Sequence, residues 1–135
     1  MQLNISSFSK FFNLALLEDL GINGDITSES IISSTSVSNF KLIAKQNLIL
    51  CGSEIFNWYC SNYGIVDYKW NYYDGQPIPK NSVIVEGISS TKTILLLERV
   101  MLNFLQHLSG IATFTNKFVQ ETIGTKAKIS DTRKT

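Results

Sequence analysis

The chain has 135 residues, a mass of 15.2 kDa, 44% hydrophobic and 17% charged residues, and a formal charge of +1. The length suits one domain, and the apolar share excludes a disordered chain. So small a net charge provides no global field for nucleic acid or an anionic membrane. The charge is nevertheless uneven. Residues 126–135 hold Lys126, Lys128, Arg133 and Lys134 against Asp131, a local +3 that leaves the rest of the chain at −2.

Taken in chain order, residues 7–20 predict an amphipathic helix. Phe8, Phe11, Phe12, Ala15 and Leu16 recur at helical spacing, Ser6 or Ser7 can cap the start, and Gly21 can end it. Glu18 and Asp19 fall in its last turn, where the helix dipole disfavours anions. They therefore call for a cationic partner or for water. Residues 21–30 read as a polar loop around Gly24-Asp25. Phe40–Ala44 and Leu48–Cys51 predict two strands joined by a turn at Gln46-Asn47. Ser53 is placed to cap a helix reaching Tyr63, with Ile55, Phe56, Tyr59, Cys60 and Tyr63 on one face and Gly64 closing it.

Val66, Tyr68, Trp70 and Tyr72 alternate with polar residues, so 66–72 predicts a strand with one buried face. Asp74-Gly75 marks a turn, and Pro77 and Pro79 keep the following stretch out of a central strand. Val83–Val85 predicts a short strand. From Thr91 to about Ile123 the pattern is helical. One unbroken helix there would run about 50 Å at ~1.5 Å per residue. It must break near Ser109-Gly110 or leave this domain to meet another body. Gly124 ends it, and Thr125–Ser130 predicts one more strand.

Residues 94–108 are apolar around nearly the whole helix, which predicts burial all round. Arg99, Asn103, Gln106 and Gly110 break that pattern. At ~100° per residue they fall within about 60° of each other and form one polar seam. A small chain cannot easily enclose such a helix, so a second body, a partner subunit or a further domain, is expected to cover it. Arg99 has two readings. It is a surface or ion-paired arginine, facing Glu98, Glu18 or Asp19, or it is an anion-binding guanidinium whose planar fork suits a carboxylate or phosphate. His107 lies about 80° off the seam and reads as a hydrogen-bonded structural histidine rather than a base.

No apolar run approaches the ~18 residues of a membrane span, and the first residues, MQLNISSFSK, lack the pattern of an export leader. Cys51, Cys60 and the single His107 fit neither a disulfide framework nor a zinc pattern; free thiols suit a cytoplasmic protein. Asp131-Thr132-Arg133-Lys134-Thr135 would place two cations and hydroxyls at a strand's C-terminal end, where α/β sheets and barrels bind ligands. A frayed charged tail would carry the same residues.

Three segments together resemble the quinolinate phosphoribosyltransferase (nicotinate-nucleotide pyrophosphorylase, carboxylating) family. They are Glu18-Asp19-Leu20-Gly21 with Gly24-Asp25-Ile26-Thr27; Glu98-Arg99 with Leu102-Asn103-Phe104-Leu105 and Ser109-Gly110-Ile111-Ala112-Thr113; and Asp131-Thr132-Arg133-Lys134-Thr135. Val100-Met101 stands where the family has a small pair, and Pro77–Ser82 matches poorly.

The resemblance implies an α+β fold. An N-terminal antiparallel sheet flanked by helices (1–110) would be followed, over 111–135, by only the first strand of a (β/α) barrel that is otherwise missing. It implies a transferase of NAD biosynthesis. Quinolinate and phosphoribosyl pyrophosphate would become nicotinate mononucleotide, pyrophosphate and CO2 in a cytoplasmic homodimer or higher homo-oligomer, with no nucleic-acid or membrane partner. By resemblance Arg99 binds a quinolinate carboxylate across the subunit boundary, and Thr132, Arg133 and Lys134 bind quinolinate in their own subunit. No catalytic residue and no metal ligand is assigned. Mg2+ would accompany phosphoribosyl pyrophosphate through residues outside this segment, which by itself is expected to be inactive. The alternatives are a molybdenum-transport-associated relative of the same fold and a non-catalytic dimerisation or binding module.

Overall fold

The computed structural model describes residues 5–132. Its elements are a 3-10 turn (Ile5–Phe8), α1 (Ser9–Leu20), α2 (Ile26–Ile31), β1 (Val37–Ile43), β2 (Leu48–Ile49), α3 (Ser53–Tyr63), β3 (Asp67–Trp70), β4 (Pro77–Ile78), β5 (Val83–Ser90) and α4 (Thr91–Glu121). The α+β expectation holds. β5 is the centre of an antiparallel sheet ordered β1-β5-β3, and β2 and β4 form a separate antiparallel ribbon. Among the described residues no helix is long and apolar enough to cross a membrane.

The sheet is held close at Gly87. A Cβ there would lie 2.5 Å from the Asp67 carbonyl oxygen and 2.9 Å from the Phe40 ring, so only glycine lets both edge strands approach β5 at this point. α3 lays Phe56 on this sheet, edge-on to Tyr68 and Trp70 with ring centroids 6.1 and 5.1 Å away. Asn57 accepts from both Tyr68 Oη (3.1 Å) and Trp70 Nε1 (2.8 Å). Their rings can thus be buried without leaving a polar atom unpaired. The main core joins Phe12, Leu16, Leu50, Phe56, Tyr59, Cys60, Ile78, Val85, Leu97, Val100 and Leu105 across all layers.

Several expectations need correction. α1 starts after Phe8, and neither Ser6 nor Ser7 caps it; no side chain does. The polar loop at 21–30 contains α2, because the Asp25 carboxylate accepts the Ser28 N–H (3.0 Å) and so caps a helical turn. β1 and β2 do not pair with each other, since β1 runs against β5 and β2 against β4. Val66 is outside β3 and exposed. Ser53 is the first residue of α3, not its cap. Asp74, from the distant turn, accepts the Gly52 and Ser53 N–H groups (2.9 and 3.1 Å). β5 extends beyond Val83–Val85 to Ser90, because both its edges are paired. Gly64, at φ 77°, closes α3 as expected.

Thr125–Ser130 forms no strand among the described residues. A strand needs a neighbour for its backbone N–H and C=O groups, and both sheets are made from residues up to Ser90. The helix from Thr91 does not break at Ser109-Gly110 and continues to Glu121, 31 residues or about 46 Å. Ser109 keeps the helix in register with the ribbon: its hydroxyl accepts the Cys51 N–H (3.0 Å) and donates to the Cys51 carbonyl (3.2 Å). Thr113 accepts the Ile49 N–H (2.8 Å). Two helix hydroxyls thus satisfy the backbone edge next to β2 in place of a further strand.

Candidate functional site

The site is built where α1 crosses α4. Phe12 packs edge-on against Phe104 at 5.5 Å and tilted against Trp58 and Tyr59 at 5.0 and 5.9 Å. Tyr59 Oη donates to the Phe12 carbonyl at 2.8 Å within the core. Burial raises the Tyr59 phenol far above its ordinary pKa, with a smaller contribution from Tyr63; it stays a neutral donor. This cluster fixes α1 on α3 and α4 and brings the last turn of α1 to the seam. Leu97, Val100, Met101, Leu105 and Ser109 face inward and are buried. Val100-Met101, the larger pair, is accommodated on this inner face.

Arg99, Asn103, Gln106 and Gly110 all point outward and are exposed, so the periodicity placed the seam correctly but not its burial. Within this chain the helix is covered on one side only. Arg99 Nη1 donates to Asp19 Oδ1 at 2.9 Å, with side-chain exposures of 74% and 18%. Asp19 is therefore the partner among the carboxylates offered by the sequence. Two open grooves, of about 930 and 550 Å3, share Asp19, Arg99, Asn103 and Gln106 along their walls. The first also borders Glu18 and His107, the second Asp25 and Glu98.

α2 closes the second groove. Lys92 of α4 holds Glu29 at 2.6 Å, and hydrogen bonding from Ser28, hydroxyl first and backbone N–H second, keeps the Asp25 carboxyl below its usual range. His107 is exposed and makes no hydrogen bond among the described residues, contrary to its reading as a bonded structural histidine. Thr132 is exposed in irregular chain; Arg133 and Lys134 lie outside the described residues. Chemically the described part is one solvent-facing guanidinium with polar neighbours. It can bind a carboxylate or phosphate, but it contains no nucleophile activated by a base. Among the described residues no group of three or more His, Cys, Asp or Glu is placed to hold a metal ion.

Sequence reasoning missed Asp74 as the α3 cap and Ser109 and Thr113 as anchors of the ribbon. Asp74 before Gly75 read as turn chemistry alone, and Ser109 read as a possible break in the helix. Nothing local indicates their partners, which lie 21 to 64 residues away.

Residues 25–109 match the family model described as quinolinate phosphoribosyl transferase, N-terminal domain. A probable nicotinate-nucleotide pyrophosphorylase [carboxylating] of Methanocaldococcus jannaschii is 38% identical over 93% of this chain and 44% of its own length. A protein of the same designation from Bacillus subtilis is 36% identical over 98% of this chain and 46% of its own. The crystal structure of nicotinate-nucleotide pyrophosphorylase from Ehrlichia chaffeensis superposes with a TM-score of 0.87 at 40% identity, over 95% of this chain and 46% of that one. The Francisella tularensis structure gives 0.89 at 33%, over 99% and 48%. The chain spans about half the length of the relatives it matches.

Proposed function

The chain belongs to the quinolinate phosphoribosyltransferase family through that family's N-terminal domain, and from this premise we propose that it forms part of an enzyme converting quinolinate and phosphoribosyl pyrophosphate to nicotinate mononucleotide, pyrophosphate and CO2. The observation that carries the reading is Arg99: a guanidinium 74% exposed, on a seam of polar residues, fixed by one carboxylate and bordering two grooves. In this reading Arg99 binds one quinolinate carboxylate and reaches it across a homodimer interface. Thr132, Arg133 and Lys134 supply the companion contacts.

A pyridine dicarboxylate loses the hydration of two negative charges on binding, which calls for matched cations. The ring nitrogen attacks the anomeric carbon of phosphoribosyl pyrophosphate and forms the N–C bond as the C–O bond to pyrophosphate breaks. The resulting pyridinium withdraws the electron pair released when the adjacent C–CO2 bond breaks. A proton then replaces CO2 on the ring. Arg99 contributes by binding and orientation, with no proton transfer of its own. Mg2+ would come with the pyrophosphate moiety, and no described residue is assigned to it. We place the domain boundary at 110/111. The last buried α4 residue and the end of the family match both fall at Ser109. Two unpaired thiols support a reducing, cytoplasmic location.

The test is Arg99→Ala in the active enzyme. A lost charge-assisted contact is worth about 1.5–3 kcal/mol, so KM for quinolinate should rise roughly 10- to 100-fold. Arg99 is mostly exposed although Asp19 is not, so the pair contributes about 1 kcal/mol to folding and the melting temperature should fall by no more than a few degrees. An unchanged KM with a lowered melting temperature would make Arg99 a structural residue and remove this reading.

A further inference from the structure

Asp19 sits where α1 gains nothing from it. It is the next-to-last residue of that helix, whose last turn contains no basic residue. An anion there opposes the helix dipole. Its side chain is 18% exposed, so its carboxylate has lost much of its water. Glu18 and Glu98 border the same grooves and make no ion pair among the described residues. Asp25 is committed to the α2 N-terminus. Of the four carboxylates around Arg99, only Asp19, least favoured by its own helix and less exposed than Glu18 and Glu98, touches the guanidinium.

The contact is through Nη1 alone. A guanidinium has five N–H donors in a rigid plane, so the Nη2 and Nε side of the fork stays available for a bidentate carboxylate while Asp19 holds Nη1. The anchor is rigid because α1 is locked through the Phe12, Tyr59 and Phe104 cluster. We propose that Asp19 is a positioning residue for Arg99: it fixes the plane of the guanidinium so that the other edge of the fork meets the substrate carboxylate, and it keeps this contact when substrate is bound. The inference rests on the reading of Arg99 as a quinolinate ligand.

The experiment is a double-mutant cycle on the active enzyme with quinolinate and phosphoribosyl pyrophosphate as the substrates. Asp19→Asn keeps the shape and removes the charge. KM for quinolinate should rise about tenfold, since loosening a positioned group costs binding geometry. kcat should stay within twofold and KM for phosphoribosyl pyrophosphate should not change. Asp19→Glu should recover most of the loss. In an Arg99→Ala background the Asp19→Asn change should add less than twofold, because its effect passes through Arg99. If Asp19→Asn melts early, Asp19→Ser is carried through the same cycle.

An unchanged quinolinate KM in Asp19→Asn overturns the proposal, as does the same tenfold loss in the Arg99→Ala background. A lowered KM also overturns it and would show Asp19 competing with substrate for Arg99. If Arg99→Ala alone leaves KM unchanged, the parent reading falls and this one with it. If Arg99→Ala raises KM and Asp19→Asn does not, only the positioning role falls.

Discussion

α4 has two faces with different obligations. Leu97, Val100, Met101, Leu105 and Ser109 face the core and are buried. Arg99, Asn103, Gln106 and Gly110 lie on the opposite side of the same turns and are exposed. The chain itself accounts for the inner face, which packs under α1 and α3 and against the strands. It accounts for little of the outer face, where one carboxylate touches a guanidinium that borders two open grooves. Stability is therefore concentrated on one side of the helix and recognition on the other, and substitutions should separate the two.

The largest effect is expected on the inner face. Leu97 has no exposed surface. Leu97→Ala removes buried methyl groups and leaves a cavity, at a cost of about 3 kcal/mol. Urea denaturation should show this as a lower midpoint with an unchanged slope. A loss below about 1 kcal/mol would mean the core collapses around the gap, and the inner face would not be the rigid side of the helix.

The position of the polar seam was legible in the sequence because it depends only on helical period, but its exposure was not, since residues 94–108 read as buried all round. What could not be read were partners distant along the chain. Asp19 and Arg99 are 80 residues apart, and spacing gave three carboxylates equal standing. Alternation showed that Phe40–Ala44 and Leu48–Cys51 were extended but not that they belong to different sheets, because a strand's pattern specifies its buried face and not its neighbour. α2 was missed for a related reason. A polar six-residue segment has little helical signal, and its stability comes from the Asp25 cap and the Lys92–Glu29 pair. The basic end of the chain led to an expected strand at Thr125–Ser130, which finds no pairing partner among the described residues. The family resemblance read from Glu18–Thr27 and Glu98–Thr113 agrees with the match over residues 25–109.

The inner side also contains titratable groups that respond to pH in a direction set by burial. Burial pushes the Cys60 thiol from 9.0 up to about 12. The folded state then keeps a proton that the unfolded state releases. Stability is fully present below pH 9 and falls as pH rises toward about 12. The urea midpoint should decline across this window, and the decline should be shallower in Cys60→Ala. Tyr59, shifted in the same direction by burial, would leave a residual slope at higher pH. Equal slopes in both proteins would mean that Cys60 is open to solvent in the folded state, and that the inner face is less closed than its packing indicates.

The smallest expected change is on the outer face and has the opposite sign. Glycine within a helix costs roughly 1 kcal/mol relative to alanine, because it loses more backbone freedom on folding. Gly110 lies in the interior of α4, and a Cβ built on it would meet nothing within 4 Å. Neither positive φ nor close packing in this chain requires the glycine. Gly110→Ala should therefore stabilise the chain by about 1 kcal/mol, read as a melting temperature about 4 °C higher. The gain follows only if the outer face carries no packing constraint from its own chain. A neutral or lower melting temperature would mean that Gly110 is confined by the fold, and the assignment of stability to one face and recognition to the other would fail at this position.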